Sequence, residues 1–372
     1  MTGAERKVRE LFAQAGVTVD GPNPWDIRVH DKRFYRSVLA GGTLAAGESY
    51  MDGWWDVDDM AELVNRLFRA GFNYTALVNI RTIGYFISSW LFNMQNKHRA
   101  FEVGEKHYDV GNDLYAAMLD SRMTYTCGYW KEARSLEEAQ KAKLDLICKK
   151  IGLKSGDRVL DIGGGWGSFA GYAAEKYGAS VVAITVSKEQ AALGRERTQG
   201  LPVEIRVQDY RDVSDGPYDH IVSIGMFEHV GYRNYRTYMK KAHALLKDGG
   251  YFLLHTIGSN KSVRAGSPWL DKYIFPNGML PSVAQIGRAA ERLFVIEDWQ
   301  NFGPDYDRTL MEWYRNFDRS LINVAKHYTP RFYRMWRFYL LSCAGTFRAR
   351  YCQLWQIVLA KRPRPARYDA PR

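Results

Sequence analysis

The chain has four cysteines, Cys127, Cys148, Cys343 and Cys352, and no CxxC pair among them. That argues against a zinc ribbon and against a disulfide framework, and it suits a reducing cytoplasm with no metal site. No apolar run is long enough to cross a bilayer. The most lipid-like stretch, Thr82–Met94, has 13 residues between Arg81 and Lys97, against a hydrocarbon core of roughly 30 Å. Met1–Gly16 is charged from Glu5 onward and has no apolar h-region, so no signal peptide is expected. There is no internal repeat. Low complexity is confined to an Arg/Pro stretch, Lys361–Arg372, which is expected to be flexible.

What is present is a soluble, globular composition, 46% hydrophobic and 25% charged, which excludes a disordered chain. The 372 residues allow two domains, or one large domain with appendages. The net charge is +11, but it is uneven. Ten basic residues and one acid, Asp369, lie between Arg331 and Arg372, leaving 42 − 40 = +2 for everything before. The body is near neutral and the C-terminal stretch is basic. Phosphate is its expected partner, with lipid and RNA phosphate both open.

The first hundred residues read as a small mixed domain. Glu5–Ala15 has helical spacing, and short segments broken at Gly21-Pro22, Asn23-Pro24 and Gly41-Gly42 follow. Asp59–Ala70 and Tyr74–Met94 also look helical. The second is read either as a core helix or dimer face, or as an interfacial helix lying on a membrane. From Leu136 onward, strands at Arg158–Ile162, Ser180–Thr185, Val203–Val207, His220–Ile224 and Tyr251–Thr256 alternate with helices. That alternation predicts an α/β fold with a parallel, doubly wound sheet. Two helices, about Asp307–His327 and Pro330–Gly345, precede a last strand at Gln353–Leu359.

The strongest local signal is Arg158-Val-Leu-Asp-Ile-Gly-Gly-Gly-Trp-Gly167. A short apolar strand ends in Asp161, Gly163, Gly165 and Gly167 follow, and a helix begins. Glycines let the backbone turn tightly and approach a ligand, at the strand end where open α/β sheets bind ligands. The spacing is not the G-x-G-x-x-G of dinucleotide sites, and no Lys-Ser/Thr of a P-loop follows. D-x-G-x-G-x-G resembles motif I of class I S-adenosylmethionine-dependent methyltransferases. Such enzymes usually end the second strand in an acid that binds the ribose; here Thr185 is at the tip and Gln190 one turn later, so a hydroxyl and an amide replace it. Gln208 and Asp209 follow the third strand, where adenine usually sits.

A base N-methyltransferase would carry Asn/Asp-Pro-Pro-aromatic after the fourth strand, and the chain has no Pro-Pro. Instead the fourth strand runs into Glu228-His229 and the fifth ends at His255. Met123–Trp130 adds a polar and aromatic loop containing Tyr125, Thr126 and Cys127. A carboxylate and an imidazole at two adjacent strand ends read better as a site than either residue alone.

These segments resemble the cyclopropane fatty acid synthases, a family that includes the mycolic acid cyclopropane synthases. The resemblance rests on His107–Leu114, Tyr125–Trp130, Val159–Gly167, Gln208–Asp212, Gly225–Gly231, Leu253–Ser259, Lys272–Gly278, Asn301–Tyr306 and Cys343–Arg350, and covers Phe101–Leu359. Gly47–Trp55 also resembles the branch acting on bacterial phospholipids.

The resemblance implies a catalytic methyltransferase domain over 101–372 (core 136–300, acyl-pocket and C-terminal helices 260–350). Residues 1–100 would form a docking or dimerisation domain. It implies methylene transfer from S-adenosylmethionine to a cis double bond of phospholipid acyl chains. In the family, bicarbonate takes the proton from the carbocation-like intermediate. Its ligands would match Cys127, Glu228, His255, Ile257 and Tyr314, with Cys127 and Ile257 contributing backbone groups. Tyr125 and Thr126 join the cofactor set of Asp161, Gly163, Gly165, Gly167, Thr185, Gln190, Gln208 and Asp209. Trp130 and Tyr273 either stabilise the cation through their rings or line the acyl pocket. The expected partner is an unsaturated phospholipid bilayer, approached from the cytoplasm at the membrane's inner face, with no nucleic acid and with a homodimer as the assembly.

Two positions depart from the family: Gly164 stands where Cys is common, and Gly128 where Ala is. A related reading keeps methyl transfer but quenches the cation with hydride or water, giving methyl-branched or hydroxylated chains. An RNA methyltransferase and a non-catalytic binding module are the readings from other classes.

Overall fold

The computed structural model describes residues 1–72, 111–263, 266–324, 328–361 and 367–372. The predicted helix Tyr74–Met94, the lipid-like run within it and residues 107–110 of the His107–Leu114 segment lie outside them. In chain order the elements are α1 (Gly3–Gln14), β1 (Arg28–Val29), α2 (Arg33–Met51), β2 (Trp55–Asp56), α3 (Met60–Arg69), α4 (Asn112–Met118) and α5 (Leu136–Lys150). Then come β3 (Arg158–Ile162), α6 (Ser168–Tyr177), β4 (Ser180–Thr185), α7 (Lys188–Arg197), β5 (Val203–Val207), β6 (Tyr218–Ile224), α8 (Tyr235–Leu245) and β7 (Leu246–Ser259). The chain continues through α9 (Pro268–Tyr273), α10 (Val283–Ala290), β8 (Val295–Asn301), α11 (Pro304–Val324), α12 (Pro330–Arg348) and β9 (Cys352–Ala360).

Two compact units result. The sheet unit takes 111–263, 278–305, 353–361 and 367–372 of the described residues; the helical unit takes 1–72, 266–277, 306–324 and 328–352. The sequence reading drew its boundary at residue 100, because chain order alone does not reveal that α12 packs on α2 and α3. The core of the helical unit joins Val8, Phe34, Tyr50, Trp55 and Met60 to Leu341. The break read at Gly41-Gly42 is present: Gly42, at φ +55° and ψ −137°, leaves helical geometry and divides α2 into two helical segments across a kink. Among the described residues, no helix is long and apolar enough to cross a membrane.

In the sheet unit seven strands run in the order β5-β4-β3-β6-β7-β9-β8. β3 pairs in parallel with β4 and β6, β4 with β5, and β6 with β7, while β8 and β9 are antiparallel. Alternate residues of each central strand enter opposite cores, Leu160 and Ile162 one and Val159 the other. This is the period-two pattern of a sheet covered on both faces. α5 shows how the sequence sets a helix. Ser135 accepts the Glu138 N–H at its start, Glu137 and Glu138 fill the first turn, and Lys149 and Lys150 the last, matching the helix dipole at both ends.

Candidate active site

β3 ends in Asp161 and passes into the glycine turn. Gly163 has φ +90°, and a Cβ there would lie 2.7 Å from that of Met226. The N–H groups of Gly163 and Gly164 both donate to the Ile184 carbonyl at 2.9 Å, tying the turn to β4. The Asp161 side chain is 1% exposed, and neither carboxyl oxygen has a hydrogen-bond partner. Burial pushes its pKa up to about 7, opposed by the charge of Lys143. A buried carboxyl with two free acceptors beside a glycine cradle fits a ligand that brings its own cationic donor, as the ammonium of S-adenosylmethionine does.

The other predicted cofactor residues divide. At the end of β4, the Thr185 hydroxyl donates to Gln190 Oε1 at 2.9 Å, and Ser187 caps α7 through the Gln190 N–H. The hydroxyl and amide are thus mutually oriented at the strand tip. The Gln208 N–H donates to the Thr185 carbonyl. Asp209 has both oxygens engaged by Arg211, one by its backbone N–H at 2.9 Å and one by its guanidinium at 2.8 Å. It caps the short 3-10 turn Tyr210–Asp212, the turn role that an acid after a strand also satisfies.

Glu228 sits in a 3-10 turn, Phe227–His229, just after β6. It is 7% exposed; Oε1 accepts the Ile257 N–H at 2.6 Å, and Oε2 has no partner. Burial raises its pKa to about 7 against the hydrogen bonds it accepts. His255, on β7, lies opposite Ile224 of β6. Its Nδ1 meets the Gln356 amide at 3.3 Å, and Nε2 has no partner. Burial, then the charges of Lys143 and Lys150, hold this imidazole neutral, its pKa well below the usual value. Adjacent strand ends therefore carry a carboxyl and an imidazole, each with one buried free polar atom.

The loop Met123–Trp130 is fastened to α5. Gln140 donates to the carbonyls of Thr124 and Thr126 at 3.3 and 2.8 Å, and Lys143 Nζ to the Thr126 hydroxyl at 2.8 Å. Tyr125 packs edge-on against Tyr115, and Cys127 is fully buried. The loop packs closely on α5 at Gly128, where a Cβ would come within 2.9 Å of the Ala139 Cβ. The Trp130 N–H donates to Asp305 at 2.7 Å.

Two expected site residues belong to the helical unit. The Tyr314 hydroxyl accepts from Arg337 Nε at 3.4 Å. The Tyr273 hydroxyl donates to Glu48 at 2.8 Å, and the Lys272 ammonium stands 5.1 Å from its ring centroid, so that ring already carries a cation.

The sequence reading missed Gln140, Lys143, Gln356 and Asp305. Gln140 and Lys143 did leave a signal: with Leu136 and Ile147 they repeat at helical spacing on a buried stripe, where unneeded polar groups are costly.

With this geometry in place, comparison with known proteins is decisive. The sequence profile described as mycolic acid cyclopropane synthetase matches residues 95–357. The chain belongs to the mycolic acid cyclopropane synthetase family. It is 51% identical over 356 residues to the cyclopropane-fatty-acyl-phospholipid synthase of Escherichia coli strain K12, covering 96% of this chain and 93% of that protein. A solved cyclopropane synthase from Mycobacterium tuberculosis is 32% identical with a TM-score of 0.65, covering 70% of this chain and 98% of that one. A mycolic acid cyclopropane synthase complexed with SAH and CTAB is likewise 32% identical, with a TM-score of 0.64, covering 70% and 97%. The expected fold is therefore the observed one, that of a class I S-adenosylmethionine-dependent methyltransferase.

Proposed function

We propose that this chain is a cyclopropane-fatty-acyl-phospholipid synthase, adding a methylene from S-adenosylmethionine across a cis double bond of phospholipid acyl chains. The observation that carries the reading is the buried Glu228–Ile257–His255 arrangement beside the Asp161 glycine turn, in a chain 51% identical to such a synthase. When bound, S-adenosylmethionine supplies an electrophilic methyl group. The double bond adds that methyl, leaving positive charge on the acyl carbon. One methyl proton must then leave as the third ring bond closes, so the balance is alkene plus CH₃⁺ giving cyclopropane plus H⁺.

Asp161 and the turn at Gly163, Gly165 and Gly167 would hold the cofactor, with Tyr125, Thr126, Thr185, Gln190, Gln208 and Asp209 around it. Bicarbonate would supply the base, held at Cys127, Glu228 and His255; Ile257 and Tyr314 enter as its ligands only through the resemblance. The two free polar atoms, Glu228 Oε2 and His255 Nε2, fit such a small polar anion. The Ile257 N–H is already committed to Glu228, so its part is to orient that carboxyl. Keeping His255 neutral avoids adding a positive charge beside a developing cation. The acceptor being a membrane lipid, the chain would work at a bilayer surface.

The test is incubation of purified protein with S-adenosylmethionine and vesicles of unsaturated phospholipid, followed by gas chromatography and mass spectrometry. The expected product is heavier by one CH₂ and contains a ring. A methyl-branched or hydroxylated product would place the chain with the related C-methyltransferases. Transfer to RNA with none to lipid would sink the lipid reading.

A further inference from the structure

Lys143 is 0% exposed on the inner face of α5, and its ammonium donates to a neutral group, the Thr126 hydroxyl, at 2.8 Å. A buried ammonium is costly unless opposite charge stands near it. The groups that act on it are Asp120 and Cys127 of the neighbouring loop and Asp161 of β3; His255 feels its charge in turn. The two carboxylates are not equivalent. Asp120 already accepts the N–H and hydroxyl of Thr124 at 2.7 and 3.1 Å and the Arg122 N–H at 3.2 Å. Asp161 has both oxygens buried and unpartnered, with Tyr238 of α8 the other titratable group coupled to it.

We propose that Lys143 is a positioning residue of the cofactor site, the buried countercharge that keeps Asp161 an ionised acceptor for the cofactor's ammonium while fixing Thr126. Burial lowers Lys143 to a pKa of about 8, opposed by the charges of Asp120, Cys127 and Asp161, and raises Asp161 to about 7, opposed by the charge of Lys143. Direct pairing would occupy Asp161. Holding the ammonium on Thr126 instead leaves the carboxylate oxygens open and still lowers the cost of their charge.

The inference rests on the cofactor part of the reading above, and calorimetric binding of S-adenosylhomocysteine separates the two. No binding by the unaltered protein would count against that reading. Lys143→Gln can still donate to Thr126 but carries no charge. Its affinity relative to the unaltered protein should fall about fivefold at pH 7, for a displacement of one unit upward from about 7, and recover by pH 9. The ligand's own titration cancels in that ratio. Lys143→Arg should keep the unaltered midpoint, and Lys143→Gln should add no further loss in an Asp161→Asn background. An unchanged affinity, or an equal loss at every pH, would overturn the inference. Should Lys143→Gln not fold, the double variant with Asp161→Asn is expected to fold, because the unpartnered carboxylate is gone and Asp120 keeps the bonds it accepts from Thr124 and Arg122. Failure of both would make Lys143 structural and overturn it equally.

Discussion

Oε1 of Glu228 accepts the backbone N–H of Ile257 at 2.6 Å, two residues along β7 from His255, while Oε2 is buried without a partner. One oxygen fixes the carboxyl and the other is left for chemistry. Glu228→Gln keeps the size of the group and removes its proton equilibrium. Turnover on unsaturated phospholipid is expected to fall at least roughly 100-fold, the scale of a lost proton-transfer group. Affinity for S-adenosylhomocysteine should stay within about threefold. Steady-state methyl transfer and calorimetry check both, and unchanged turnover would remove Glu228 from the mechanism.

The same carboxyl makes stability pH-dependent in a direction that can be worked out. Its native pKa is about 7 against an ordinary 4.5. Between those values the native state holds a proton that the unfolded chain has released. The Glu228 contribution is therefore fully present below about pH 4.5 and is lost as pH rises to about 7, by on the order of 3 kcal/mol. His255 and His229, both pushed down by burial, slope the other way. They are common to protein and variant and cancel in the difference. Thermal melts should show Glu228→Gln gaining stability relative to the unaltered protein from pH 4.5 to 7 and levelling off above. A pH-independent difference would contradict the raised pKa.

At the cofactor turn, Asp161→Ala removes a carboxyl whose oxygens have no partner inside the protein. Affinity for S-adenosylmethionine should drop roughly 10- to 100-fold, about 1.4–2.8 kcal/mol, the scale of a charge-assisted hydrogen bond. Isothermal titration giving the unaltered affinity would contradict the assigned role.

Gly164 stands where a Cys is common in the family, and the fold explains why a larger residue would not simply drop in. A Cβ there would lie 2.8 Å from the Ala183 Cβ and 3.1 Å from Asp161 Oδ2. Gly164→Ala is expected to cost about 1–3 kcal/mol by overpacking. Adding Ala183→Gly should recover most of it, read as denaturation midpoints. Failure of the second change to restore stability would show that the crowding lies elsewhere.

Much of the sheet unit was legible because local pattern and tertiary role agree there. The predicted ranges of β3, β4 and β5 match those observed, each being a short apolar or amphipathic run with a cap or glycine at its end. Glu228, His255 and Asp161 were legible because chain order places them at strand ends. Gln356 and Asp305 were not, since they meet His255 and Trp130 only through the pairing of a late strand and the start of α11. Gly41-Gly42 was legible as a break, since Gly42 leaves helical geometry at φ +55° and ψ −137° and divides α2 into two helical segments. The Arg/Pro stretch expected to be flexible has described residues that are held: Tyr368 donates to the Lys150 carbonyl at 2.9 Å, and Arg372 Nη1 to Asp298 at 2.8 Å.

The basic C-terminal surplus has the same lesson. Arg331 pairs with Asp52, Arg334 with Asp56, Arg348 with Asp307, Lys361 with Asp248 and Arg372 with Asp298. Arg337 donates to Tyr50 and to the carbonyls of Val57 and Asp58. These basic residues far along the chain thus meet acids and carbonyls of their own unit. Arg348 is the sharpest case, gripping both oxygens of Asp307 at 3.0 and 3.2 Å. Arg348→Ala should lower stability by about 2 kcal/mol, as loss of a charged hydrogen-bonded pair does. It should leave partition onto anionic vesicles unchanged within about twofold. A residue docked on phosphate would contribute roughly 1 kcal/mol, or about fivefold in partition. Vesicle sedimentation distinguishes the two, and a fivefold loss of binding with no loss of stability would return this arginine to the membrane.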